Sequence, residues 1–186
     1  MIPSWLHEFA TGRNAALALV VWLAFGGLLF GLTTYPTLRA ANQNQPLLEE
    51  RFGYAADEVS QQLQAFGEWR GSYRNFQILD YIHAALMMSA LTSLLVFALT
   101  RLFSPTHPLC LLALLPALGA GAEFLENSLL LLLLGTYPAI SPALAGVASL
   151  VTKLKFSITF IVMPLTALTL VALVVKAVAR RLTRRP

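Results

Sequence analysis

The sequence predicts an all-α, polytopic membrane protein, with four transmembrane helices and an outer loop of short amphipathic helices. Three observations predict it. Apolar residues make up 57% of the 186-residue chain and charged residues 12%, roughly half the charged share of a soluble domain. Four stretches each supply the roughly 20 apolar residues that a bilayer-spanning helix needs. The basic residues cluster beside these stretches, as lipid headgroups and the positive-inside rule favour. A soluble fold of this size would leave much apolar surface uncovered, whereas lipid can face it without penalty.

The first span is expected at 15–35. Arg13 precedes it, as in a signal peptide. Its apolar run, however, exceeds the usual h-region, and no small-residue cleavage site follows at Thr34, Tyr35 and Pro36, so a retained anchor is expected. Gly26, Gly27 and Gly31 suggest a small face for close helix packing. The second and third spans are expected at 76–100 and 109–135. The fourth lies within a long run from Ala143 to Val178 and is expected at 146–178. Pro116 and Pro164 are placed to kink the third and fourth spans, and the run Leu129 to Leu134 reads as lipid-facing. All of this fits one domain over 1–186. Cys110 is the single cysteine, so no internal disulfide can form.

The connection 36–75 is too long to be an unstructured link in so small a protein. Within it Pro46 stands where a helix can begin and Gly53 where one can end. Val59, Leu63 and Phe66 then recur at helical spacing behind Asp57 and Glu58, acids suited to a helix N-terminus. Two short amphipathic helices are expected, forming a packing cap or a lid over a site.

Orientation follows from Lys and Arg at the span ends. Lys176, Arg180, Arg181, Arg184 and Arg185 crowd the last eleven positions with no acid among them, Arg101 lies in the second connection, and Arg13 precedes the first span. The first connection carries five acids against four arginines, and the third, 136–142, carries no charge. The expected location is a bacterial inner membrane with both termini cytoplasmic. The basic tail accounts for the net charge of +4 without a nucleic-acid partner; the lipid bilayer is the expected partner, and a homo-oligomer is compatible with it.

Ionisable residues inside spans are costly, so they face the bundle interior and mark candidate sites. Asp80 and His83 share a face of the second span, Glu123, Glu126 and Asn127 a face of the third, and Thr152 and Lys155 a face at the head of the fourth, while Lys153 points elsewhere. At roughly 1.5 Å per residue His83, Glu126 and Asn127 fall within about 10 to 15 Å of the outer boundary, with Asp80 shallower and Glu123 deeper, so they can meet in one layer. If the fourth span begins near Phe156, Lys153 and Lys155 lie at the outer interface, where Lys155 can pair with Glu123 or Glu126. Asp80, Glu123, Glu126, Asn127 and Lys155 are the candidate catalytic groups, and His83, Arg70 and Thr152 the candidate substrate-binding ones.

The run Glu123-Phe-Leu-Glu-Asn127, followed by Thr152-Lys-Leu-Lys-Phe156, resembles a pattern in small, uncharacterised four-helix bacterial membrane proteins. In them the third helix reads acid, two apolar residues, Glu-Asn, and the fourth reads Thr, two residues, Lys, aromatic. The resemblance implies the four-helix layout and brings no activity with it.

Other site types fit poorly. His7, His83 and His107 fall on different elements, unlike paired haem ligands, and no His or Cys set has zinc spacing. There is no phosphate-cradling glycine loop, nucleophile elbow or His-Glu-x-x-His. A magnesium ion held by Asp80 and the two glutamates suits the donor chemistry; otherwise the cofactor is unknown. Three functions compete: an enzyme or binder acting on an amphiphilic, lipid-like molecule, with Glu126 or Asp80 as acid or base and Lys155 or Arg70 holding an anionic head; a proton-coupled transporter subunit; and a non-catalytic accessory subunit whose cluster only fixes packing.

Overall fold

A computed structural model describes residues 3–183, and every element among them is helical. Arg184 and Arg185 of the basic tail lie outside the described residues. The chain runs through α1 (Ser4–Phe9), α2 (Gly12–Gly31), α3 (Tyr35–Ala41), α4 (Ala56–Phe66), α5 (Arg70–Leu102), α6 (Leu115–Thr136) and α7 (Pro142–Leu182). Four of the helical stretches are long and apolar enough to cross a membrane, those ending at Gly31, Leu102, Thr136 and Leu182. Their outer faces need lipid: Leu17, Leu23, Phe160, Leu168 and Val171 are all more than half exposed.

The helices do not close into a symmetric bundle. α5 is central and packs on α2, α6 and α7; α6 also packs on α7, whereas α2 and α7 share no packed interface. Two cores result. One lies at the end carrying the 36–75 connection, where Leu129, Leu130 and Leu133 of α6 meet Leu38, Leu47, Leu48, Val59, Leu63, Phe66 and Tyr73. The other lies at the opposite end, where Leu6 and Ala10 meet Leu95, Val96, Leu99, Cys110 and Ala113. There Lys176 donates to the carbonyls of Arg101 and Leu102, at 2.7 and 3.1 Å, and ties the end of α7 to the end of α5.

Several expectations change on this scaffold. Leu129, Leu130 and Leu133 are core rather than lipid-facing, because α6 is covered by α5 on one side and α7 on the other. Of the three glycines expected to form a small packing face, only Gly26 meets a neighbour, His83, while a Cβ on Gly27 or Gly31 would enter open space. Pro116 does not kink a helix; it stands at the start of α6, after a 3-10 turn over Pro108–Leu114, where its missing N–H costs nothing. Pro164 is inside α7 as expected.

The connection departs most. α3 forms where no helix is expected, and the Pro46–Gly53 segment makes only a 3-10 turn, Leu48–Glu50. Leu47, Leu48 and Glu49 are all buried, so this turn plunges into the mouth of the bundle instead of lying on its surface. Glu50 shapes it by accepting from Leu47 N at 2.7 Å and from Arg39 at 2.5 Å. Gly53 has φ 91°, and a Cβ there would strike Lys153, so the chain can pass α7 only with glycine at this point. Beyond it Tyr54 N donates to Ser149 Oγ at 2.9 Å. α4 then seats Val59, Leu63 and Phe66 in the core at 0–1% exposure. The connection is thus a packed cap, not a loose lid. Phe66→Ala is expected to cost about 3–5 kcal/mol as a buried aromatic deletion, whereas Phe52→Ala, at 60% exposure, should leave thermal unfolding in detergent nearly unchanged.

Candidate functional site

Asp80 lies ten residues into α5 and Glu126 ten residues before the end of α6, so both sit about 15 Å below the capped end. Lys155, thirteen residues into α7, reaches the same layer. Its ammonium donates to Glu126 Oε2 at 2.5 Å and to the Glu49 carbonyl at 2.8 Å, and faces Glu123 Oε1 at 3.6 Å. Thr152, one turn earlier, donates to the other Glu126 oxygen at 2.6 Å and lies 3.3 Å from the Tyr54 hydroxyl. Glu126 and Asn127 are fully buried. Asn127 donates to Asp80 Oδ2 at 3.0 Å, and its own carbonyl oxygen has no partner.

On the other side of Asp80, His83 Nδ1 lies 3.4 Å from Oδ1, while Trp22 Nε1 of α2 stands 3.0 Å from His83 Nε2. An indole nitrogen can only donate, so Nε2 is the acceptor and the ring proton belongs on Nδ1, facing Asp80. His83 in this arrangement is neutral. It orients Asp80 without balancing its charge.

Two residues not foreseen complete the cluster. The plunging turn delivers Glu49, whose Oε2 accepts from the Tyr73 hydroxyl at 2.8 Å and whose Oε1 is buried with no partner. Burial pushes the Glu49 carboxyl from its ordinary 4.5 up to about 8, against the opposing pull of Tyr73 and Lys155. Tyr35, at the head of α3, donates to Glu50; burial foremost, then that hydrogen bond, pushes its hydroxyl up to about 12, so it remains a donor at neutral pH.

The charge count is lopsided. Glu49, Asp80, Glu123 and Glu126 meet one ammonium, Lys155, which already donates to Glu126 and the Glu49 carbonyl and faces Glu123. Glu126 balances Lys155, which leaves Asp80, Glu123 and Glu49 with no cation of their own. In so dry a place this surplus calls for bound protons or a cation.

A cavity of about 320 Å³ opens onto the cluster. α5 forms its back with Phe76, Asp80, His83 and Met87. Phe30 and Tyr35 stand on one side, Phe156 and Thr159 of α7 on the other, Glu49 and Glu50 above, and Glu123 and Lys155 deeper. α2 and α7, which stand on its two sides, share no packed interface, so contact between these helices does not close it. Beneath it lies an apolar void of about 10 Å³, around Leu91, Pro116, Gly119 and Val162.

The sequence-selected residues therefore divide. Asp80, His83, Glu123 and Lys155 line the cavity; Glu126, Asn127 and Thr152 stand behind them and hold them in place. Glu123, not Glu126, is the third-span carboxylate that a ligand can reach. Arg70 is elsewhere: it stacks 4.6 Å over Tyr137 and lines a larger groove of about 680 Å³ with Arg74 and Leu134 at the far side of α6. Among the described residues no three His, Cys, Asp or Glu side chains converge to hold a metal ion, because Lys155 and Asn127 occupy the spaces between the carboxylates. Glu49 and Trp22 carried no signal in the sequence beyond their residue types. No protein family, curated protein or solved structure matches this chain.

The Glu126–Lys155 pair is expected to behave as one unit. Glu126→Gln or Lys155→Met alone strands a buried charge and should cost roughly 3–5 kcal/mol. The double substitution should recover part of that in a thermal-unfolding cycle, and additive losses would show that the two are not coupled. The raised Glu49 value sets a pH dependence: the folded state holds a proton that the unfolded state loses, so stability falls as pH rises from about 4.5 to about 8 and is level above. Glu49→Gln should remove this slope, gaining on the parent protein at pH 9 relative to pH 5 in paired unfolding scans.

Proposed function

We propose that this chain is an integral membrane protein that binds or processes an amphiphilic, lipid-like molecule in the cavity between α2 and α7. The polar head meets Asp80, Glu123 and Glu49, and the apolar tail lies between the helices in lipid. One observation carries the reading: a cavity that sets ionisable groups beside Phe30, Phe76, Met87 and Phe156, between two membrane-length helices that do not pack together. Its volume falls in the general range of small-molecule sites, roughly 300–1,000 Å³. If a reaction follows binding, Glu123 and Asp80 are the groups placed to accept or give a proton. Arg70 has no part in it.

A proton-coupled transporter subunit is less well supported, because the polar layer ends above an apolar floor. Purely structural use of the cluster accounts for Glu126, Asn127 and Thr152, but not for the surplus carboxylates that line an opening.

The reading extends to location: a bacterial inner membrane, with both termini cytoplasmic and the capped end outside. Arg13, Arg101, Lys176, Arg180 and Arg181 stand at one end of the bundle, whereas the cap mixes acids with arginines, and this asymmetry supports the orientation. Gln61→Cys, on the exposed face of α4, is expected to react with an impermeant thiol reagent in intact cells, and Thr183→Cys is not. The reverse pattern would invert the orientation.

Mass spectrometry of small molecules retained in mild detergent tests the binding itself. The expected result is about one amphiphile per chain, lost in Thr159→Phe, which narrows the cavity while the fold persists. No more bound amphiphile than an unrelated four-helix protein carries would favour an accessory role.

A further inference from the structure

The cavity's charge, read together with its walls, narrows the ligand class; this step rests on the amphiphile-binding reading above. A lysine in a buried site ordinarily suggests an anionic head. Here it does not, because the Lys155 ammonium is consumed by Glu126 at 2.5 Å, the Glu49 carbonyl at 2.8 Å and Glu123 at 3.6 Å. His83 accepts from Trp22 and is neutral. Arg39 is spent on Glu50, which also takes Leu47 N and the Tyr35 hydroxyl. Among the described residues, Lys155 and Arg39 beside the cavity each already have a carboxylate partner.

Carboxylate oxygens are in surplus. Glu123 keeps only the longer contact to Lys155. Glu49, at 8% exposure and lining the cavity, holds its Oε1 with no partner at all. A buried carboxyl oxygen in this state lacks a partner, and a cationic head supplies one by displacing any proton the group holds. The walls have the matching chemistry: Phe30, Tyr35, Phe76 and Phe156 supply four aromatic rings around the same space, and ring faces attract cations, quaternary ammonium groups above all.

We propose that the cavity takes the cationic head of an amphiphilic amine or quaternary ammonium compound, held by Glu123, Asp80 and Glu49 and enclosed by Phe30, Phe76 and Phe156, with the alkyl chain leaving between α2 and α7. The anionic head that Lys155 and Arg70 suggest from sequence is thereby replaced by its opposite.

The test uses the full-length protein in dodecyl maltoside and three single-chain probes of one length: decyltrimethylammonium, decanol and decanoate. Calorimetric titration should show saturable one-to-one binding of decyltrimethylammonium, with decanoate failing to compete. Glu123→Gln should weaken the cation by about tenfold or more, the usual effect of losing one charged partner. Decanoate or decanol binding as tightly as the cation would overturn the charge assignment and leave amphiphile binding standing. Absence of saturable binding by all three probes would overturn both. Should Glu123→Gln fail to fold, the ranking of the three probes on the unmodified protein still decides. A folded Glu123→Gln protein that binds the cation undiminished would overturn the proposal.

Discussion

The contact on which the rest of this structure depends is the ion pair between Glu126 and Lys155. Neither residue has water to solvate it, Glu126 being 0% and Lys155 6% exposed, and a lone charge at such a depth is expensive. The pair therefore fixes α6 against α7 at one register. Its spare valences extend that constraint. The second Glu126 oxygen orders Thr152, which meets Tyr54 of the connection, and the second Lys155 donor takes the carbonyl of Glu49. Two helices and the segment that closes their mouth thus converge on one buried contact. Such pairs rarely stabilise more than an apolar substitute of equal volume; what this one provides is a unique arrangement of its neighbours.

From that arrangement the open side of the molecule follows. Lys155 draws the 36–75 connection down over α5, α6 and α7, and the cap's own leucines and aromatics fill the space above them. α2 receives none of this. It is held to α5, through Trp22 on His83 and Gly26 beside the same ring, and leaves its flank toward α7 uncovered. The polar cluster is roofed on one side and bordered by an unpacked pair of helices on the other for the same reason: the ion pair gathers the cap onto α5, α6 and α7 and leaves α2 outside it.

The four spans and the shared depth of His83, Glu126 and Asn127 are legible in the sequence, because length, apolar run and helical spacing determine them directly. Lys155 is legible as a partner for a third-span glutamate, but whether Glu123 or Glu126 takes it is not, because both share one helix face and nothing in the long apolar run marks where the fourth span begins. What could not be counted was the path of the connection. Leu47, Leu48 and Glu49 are three consecutive buried residues, a pattern with no helical or strand period, and they become buried only because Gly53 and Ser149 let the chain lie against α7. Trp22 was illegible for a related reason: on an apolar helix nothing marks which indole finds an acceptor. Arg70 was misjudged because it is close in sequence to the second span, yet a helix start points it away from the cluster, toward Tyr137.

α7 shows how a rigid network and an accessible cavity coexist in one small protein. Its 41 residues would reach about 60 Å as a straight helix, well beyond a roughly 30 Å hydrocarbon core. Two places fasten it: Lys155 near the capped end and Lys176 on the last carbonyls of α5. Pro164 lies between them, and without an N–H it cannot donate to the Phe160 carbonyl, so the helical ladder is interrupted there. Phe160 itself is mostly exposed and Thr159 borders the cavity. This interruption falls just below the cavity, between the two lysine anchors and opposite a helix with which α7 shares no packed interface. If the cavity takes a ligand from the bilayer as proposed, bending at that point would change the width of the cleft without disturbing the ion pair, which makes α7, rather than the cap, the element to admit it.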